Sequence, residues 1–144
     1  IEPGFGKLSG IVVCGTHSPH DVEDMIDIIK ICRETGKPFL GICFGHQLAA
    51  IEYARNVLGI KDATSEEFGQ GTFVVRKRLG GIKVGLHNGE SWWNKFEVDE
   101  ELLGGWKKPD NFFTTQSHPE YQSSKKKPHP FLVKFIKQCR TFGK

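Results

Sequence analysis

The sequence predicts an α/β protein: a mostly parallel central sheet with helices on both faces and a small antiparallel patch, in one domain spanning 1–144. Three observations carry this. Short apolar runs alternate with segments of helical spacing, glycine closes most segments, and 144 residues suit a single core.

Ile11-Val12-Val13-Cys14 is continuously apolar and ends in Gly15, the pattern of an interior parallel strand buried on both faces. From Asp21 to Thr35, Val22, Met25, Ile26, Ile29 and Cys32 recur at helical spacing, and Gly36 stands where a helix stops. Lys37-Pro38 restarts the chain as a second strand, Phe39 to Ile42. Gly45 to Leu58 is again helical, through Leu48, Ile51, Tyr53, Ala54 and Val57, with Gly59 after it. FVVRKR and GIKVGL flank Leu79-Gly80-Gly81, read as a hairpin turn that opens an antiparallel patch running to Val98. In that patch Trp92, Trp93 and Phe96 are expected to give one face to the core. Phe112 to Thr115 is the last core strand, and Pro130 to Cys139 a closing helix with Phe131, Leu132, Phe135 and Ile136 inward.

Composition narrows the function classes. At 38% hydrophobic and 26% charged residues the chain reads as a globular domain, and a net charge of +3 is too small to imply nucleic-acid binding. The basic runs Arg76-Lys77-Arg78 and Lys125-Lys126-Lys127 read as solvated. No apolar run approaches the ~20 residues of a membrane helix, and a cytoplasmic protein is expected. Four scattered cysteines read as free thiols. Ile1 in place of an initiator Met reads as part of a longer or processed chain.

The chemistry concentrates in GICFGHQ, Gly41 to Gln47. G-x-C-x-G between a buried strand and a helix has the layout of a nucleophile elbow, in which a sharp turn lifts Cys43 out of the sheet edge. The amino end of the following helix favours thiolate over thiol. The alternative is a small buried cysteine among turn glycines. A cysteine nucleophile needs a base and the base an orienting group. His118 and Glu120, in TTQSHPEY, follow a core strand and so come to the carboxyl edge of the sheet, the edge that carries Cys43. Cys14, His17 and His20, with Cys43 or His46, could be drawn as a zinc site, but no paired CxxC completes the set. A polar loop above the active site is the preferred reading, with no metal and no cofactor.

At these residues the chain resembles the class I (triad) glutamine amidotransferases, which have a flavodoxin-like fold, and most of all the amidotransferase domain of CTP synthases. The similarity rests on PFLGICFGHQLAAIEYARNVLGI, DATSEEF and FFTTQSHPEYQSSKKKPHPFLVKFI, with looser matches in GIVVCGTHSPHDVEDMI and at KFEVD. It implies hydrolysis of glutamine to glutamate and ammonia through a γ-glutamyl thioester. Cys43 would be the nucleophile, His118 the base and acid, and Glu120 its orienting group. The backbone amides of Gly15 and Phe44 would form the oxyanion hole. Gln47 and Glu67 would hold the substrate glutamine, with Lys95 supplying charge where the family has arginine. Thr16 stands where the family has a second glycine, the segment from Phe68 to Lys95 is short, and the usual first strand and helix are not found before Gly10. The synthetase domain that would use the ammonia is expected as a partner. Two alternatives stay open: a non-catalytic binding or regulatory module of the same shape, and a hydrolase acting on another γ-glutamyl amide.

Overall fold

A computed structural model describes residues 4–16, 18–87 and 90–143, the side chains of 79–94 excepted. Along the chain run β1 (Ile11–Val13), α1 (Val22–Thr35), β2 (Phe39–Ile42), α2 (Phe44–Asn56), β3 (Ala63–Ser65), β4 (Thr72–His87), β5 (Glu90–Val98), α3 (Glu100–Leu103), β6 (Phe112–Thr115) and α4 (Pro130–Thr141). The strands form two sheets, β1-β2-β6 and β3-β4-β5. The first is parallel throughout; in the second β3 pairs parallel and β5 antiparallel with β4.

β2 lies at the centre of the parallel sheet with all four residues buried. Its alternation sorts the core into two faces. Phe39 stands with the residues of α1 and α2, stacked on Phe112 of β6 at 4.6 Å between ring centroids. Leu40 and Ile42 stand on the opposite face with Phe135 of α4, where Phe113 meets Phe131 and Phe135 edge-on. Helices therefore cover both faces, as the alternating pattern predicts.

α2 is buried from Phe44 to Ala54, wedged between α1 and both sheets. That position takes Glu52 wholly out of solvent, so its charge needs partners. Arg33 of α1 donates to it through Nε at 2.5 Å and Nη2 at 3.2 Å, and Asn56 adds a third hydrogen bond at 3.0 Å. His46, on the same helix, is hydrogen-bonded to Thr114 of β6 at 3.0 Å and lies 5.3 Å from the Trp106 ring.

Three local expectations are corrected. β1 is an edge strand among the described residues, with Val12 nearly half exposed; an apolar run reports hydrophobicity, not the number of neighbouring strands. The chain does not turn at Leu79-Gly80-Gly81. β4 continues through it, and the pairing steps from Lys77↔Phe96 to Ile82↔Asn94, so residues 78–81 bulge opposite Lys95. The strands end at His87 and resume at Glu90, flanking Asn88-Gly89, a stronger two-residue hairpin signal. Those two residues, and the Trp92 and Trp93 side chains, lie outside the described residues. Ile136, expected inward, is half exposed, because α4 docks through Phe131, Leu132 and Phe135 and turns its next position away.

Two stability predictions follow from the buried charges of α2. Arg33→Ala strands the Glu52 carboxylate and should cost about 3–5 kcal/mol in urea unfolding, against well under 1 kcal/mol for Glu34→Ala, whose contact with Arg33 is solvent-exposed. Burial, and secondarily the charge of Lys108, hold the His46 imidazole down at about 3. The unfolded chain takes up that proton near pH 6.5 and the folded chain does not, so stability should fall as pH drops from about 6.5 toward 3. His46→Gln should flatten part of that slope.

Candidate active site

Cys43 follows β2 directly and caps the amino end of α2 with φ 55° and ψ −100°. Only it and Asp21 have positive φ among the described non-glycine residues. Such a conformation costs of order 1–3 kcal/mol and needs surroundings that enforce it. The Cys43 N–H donates to the Thr115 carbonyl at 2.8 Å, and the Cys43 carbonyl accepts from Gln47 N–H at 3.1 Å. A Cβ on Gly41 would lie 2.8 Å from the Gly45 carbonyl, and one on Gly45 would collide with the Val13 carbonyl. The two glycines of the motif thus let the start of α2 press against β2 and β1. The amides of the first turn, Phe44 among them, lack intrahelical acceptors and aim their partial positive charge at the turn.

Beyond Thr115 the chain bends at Ser117, whose N–H donates to Thr115 Oγ1 at 3.2 Å. His118 then precedes a 3₁₀ turn, Pro119–Gln122, closed by Tyr121 N–H donating to the His118 carbonyl at 3.2 Å. The Tyr121 ring stacks on the imidazole at 4.9 Å. Glu120 Oε1 lies 2.5 Å from His118 Nδ1. With Nδ1 committed to the carboxylate, the neutral imidazole offers Nε2 as a base. That edge faces Gly15: a methyl group placed there would stand 3.6 Å from Nε2, 2.9 Å from Cε1 and 3.4 Å from Cys43 Cβ. Gly15, two residues beyond β1, is a wall shared by the Cys43 side chain and the imidazole.

Cys14, one residue earlier, is exposed. Desolvation of its sulfur, and then the nearby Glu120 charge, push its thiol up from the ordinary value.

Gln47 sits one turn along α2 from Cys43, its Nε2 donating to the Phe96 carbonyl and to Gln116 Oε1, both at 3.3 Å. Glu67 follows β3 in a turn where its N–H donates to Ser65 Oγ at 3.1 Å, and its neighbour Phe68 meets the Phe44 ring edge-on at 6.1 Å. Lys95 is exposed on β5, next to the Phe96 whose carbonyl reaches Gln47. The second sheet thus reaches α2 through the Phe96 carbonyl at Gln47 and the Phe68 ring at Phe44. The described residues considered for zinc do not converge. His46 points into the core, His20 pairs with Asp21 at 3.0 Å, and His17 lies outside the described residues. Among the described residues no three His, Cys, Asp or Glu side chains converge as a metal site would require.

A sequence model of the family "Glutamine amidotransferase class-I" matches residues 6–138. The chain belongs to this family. It is similar to the CTP synthases of Methanoculleus marisnigri, 32% identical over 94% of this chain and 35% of the relative, and of Bdellovibrio bacteriovorus, 34% identical over 92% and 35%. The chain thus spans about a third of the length of these relatives. Its fold is similar to a solved structure described as the Trypanosoma brucei CTPS glutaminase domain with bound acivicin, with a TM-score of 0.71 and 23% identity over 92% of this chain and 71% of that one.

Gln116 is the residue of this amidotransferase domain that sequence reasoning passed over. A period-2 reading of β6 would have found it: Thr114 and Gln116 face α2, one meeting His46 and the other Gln47 and Cys43.

The shared wall at Gly15 is testable without knowledge of a substrate. Gly15→Ala should push the His118 ring from Cys43 and slow alkylation of Cys43 by iodoacetamide at neutral pH roughly tenfold. Peptide mass spectrometry resolves Cys43 from the exposed Cys14.

Proposed function

We propose that this chain hydrolyses glutamine to glutamate and ammonia, as a single amidotransferase domain that supplies a CTP synthase-like synthetase acting on a pyrimidine nucleotide. The observation that carries it is the His118–Glu120 hydrogen bond of 2.5 Å, set so that the opposite edge of the imidazole flanks the Gly15 wall of the Cys43 turn. A strained cysteine at a helix amino end, with an oriented imidazole beside it, suits acyl transfer.

In this mechanism the Cys43 proton passes to His118 Nε2 and the sulfur attacks the side-chain amide carbon of glutamine. The carbonyl oxygen becomes an oxyanion held by the Gly15 and Phe44 amides. His118 returns the proton to the amide nitrogen as the C–N bond breaks, and ammonia leaves. The γ-glutamyl thioester is then attacked by water, whose proton His118 takes up. Collapse releases glutamate, and the proton goes back to the Cys43 sulfur. Glu120 stabilises the transient imidazolium and keeps Nε2 turned to the sulfur. Gln47, Glu67 and Lys95 hold the α-amino and α-carboxylate groups, Lys95 as a point charge without the two-pronged geometry of arginine. The similarity to CTP synthases supports the synthetase assignment.

Glutamate release is the direct measurement. Cys43→Ala should lower the rate at least about 10³-fold, and Glu120→Gln about 10–100-fold with KM little changed. A chloroketone analogue of glutamine should add one mass equivalent at Cys43, and acivicin, which the Trypanosoma brucei domain binds, should protect against it. Equal glutamate release by wild type and Cys43→Ala, with and without a CTP synthase-like synthetase, would reject the assignment. Absence of labelling together with tight synthetase binding would favour a non-catalytic module.

A further inference from the structure

The hydrogen bonds behind the nucleophile form a continuous path. The Phe96 carbonyl can only accept, so the Gln47 amide must turn its NH₂ toward it, and that same Nε2 has a second proton to give. The second proton goes to Gln116 Oε1 at 3.3 Å. With its oxygen committed, Gln116 presents its own NH₂ on the other side, 3.5 Å from Cys43 Sγ. The direction of every bond is thereby set from a backbone carbonyl of β5, through two side-chain amides, to the sulfur.

We propose that Gln116 is a positioning residue for the nucleophile: its amide N–H, oriented by Gln47, stabilises the Cys43 thiolate and couples the sulfur to a residue of the glutamine-binding pocket. A donor beside sulfur is worth little to a thiol and much more to a thiolate, because a hydrogen bond to an ionised acceptor is about twice as strong as a neutral one. The path also has a switching property. Gln47 is both the anchor of Gln116 and a proposed substrate contact, so substrate that draws on the Gln47 amide alters the donor delivered to the sulfur. Of the titratable groups around Cys43, His118 and Glu120 come from the segment after β6 and Cys14 from the end of β1. Gln116 reaches the sulfur from the α2 side of β6 and carries no charge of its own. Its contribution rests on the proposed glutaminase reading only where turnover is measured; its effect on the thiolate does not.

The test follows the rate of Cys43 alkylation by iodoacetamide from pH 5 to 9, resolved by peptide mass spectrometry, in wild type, Gln116→Leu and Gln116→Glu. Gln116→Leu removes the donor and should move the midpoint of the profile upward by about one pH unit, with glutaminase kcat reduced about 10–100-fold and KM within about threefold. Gln116→Glu keeps the acceptor for Gln47 and the side-chain length, but turns an anionic oxygen to the sulfur, and should move the midpoint further. It also keeps the proposal falsifiable if the leucine variant folds poorly. A midpoint unmoved in folded Gln116→Glu overturns the proposal. Cys43→Ala run alongside separates the two failures: turnover equal to wild type rejects the glutaminase reading, while the alkylation profiles still decide the role of Gln116.

Discussion

The Cys43 amide, one residue beyond β2, meets the carbonyl of Thr115, the last paired residue of β6, at 2.8 Å. Much of the site depends on that single hydrogen bond. It is the last bond of the parallel ladder, closing the Ile42↔Thr115 pair, and so holds the turn at the point where the chain leaves the sheet for α2. It also fixes where β6 ends, and therefore where the bend at Ser117 delivers His118. The strained backbone at Cys43 persists because it is held from both sides, by Thr115 before it and by the first turn of α2 after it.

Close approach does the rest. A helix can begin directly after a central strand only if nothing fills the space between them, and the glycines at 41 and 45 leave that space to backbone atoms. Once α2 is driven in, every residue from Phe44 to Ala54 is buried, polar ones included. Glu52 is then answered by Arg33 and Asn56, His46 by Thr114, and Gln47 by Phe96 and Gln116. The first two interactions tie α2 to α1 and β6. The third lies at the sulfur, where satisfying the buried amides leaves the Gln116 N–H beside Cys43 Sγ.

The parts of this arrangement that could be read from residues alone are those with a local physical cause. Gly36 ends α1 because its φ of 75° is one that glycine adopts without strain, and β2 and β6 fall where short apolar runs place them. The G-x-C-x-G spacing reveals the elbow because crowding in a sharp turn is itself local. Leu79-Gly80-Gly81 misleads for a matching reason: glycines mark a break in regular pairing, and a bulge and a hairpin turn are both such breaks. Which one forms is decided by the partner strand, and Phe96 and Asn94 on β5 are far along the chain. The exposure of Val12 and Ile136 is of the same kind, since an apolar side chain is buried only if another element arrives to cover it.

Sequence by itself determined the fold class, the turn that presents Cys43 and the groups proposed to act with it, because periodicity, glycine sterics and side-chain chemistry are properties of short stretches. Tertiary structure alone decided that His118 flanks Gly15, that Glu120 rather than solvent meets its Nδ1, and that Gln116 stands between Gln47 and the sulfur. The first and last are relations between the end of β1, α2 and the segment after β6, with Gln116 and Cys43 73 residues apart and Gly15 and His118 farther still. The packing of α2 against both sheets brings Gln116 within hydrogen-bonding distance of Gln47 and Cys43.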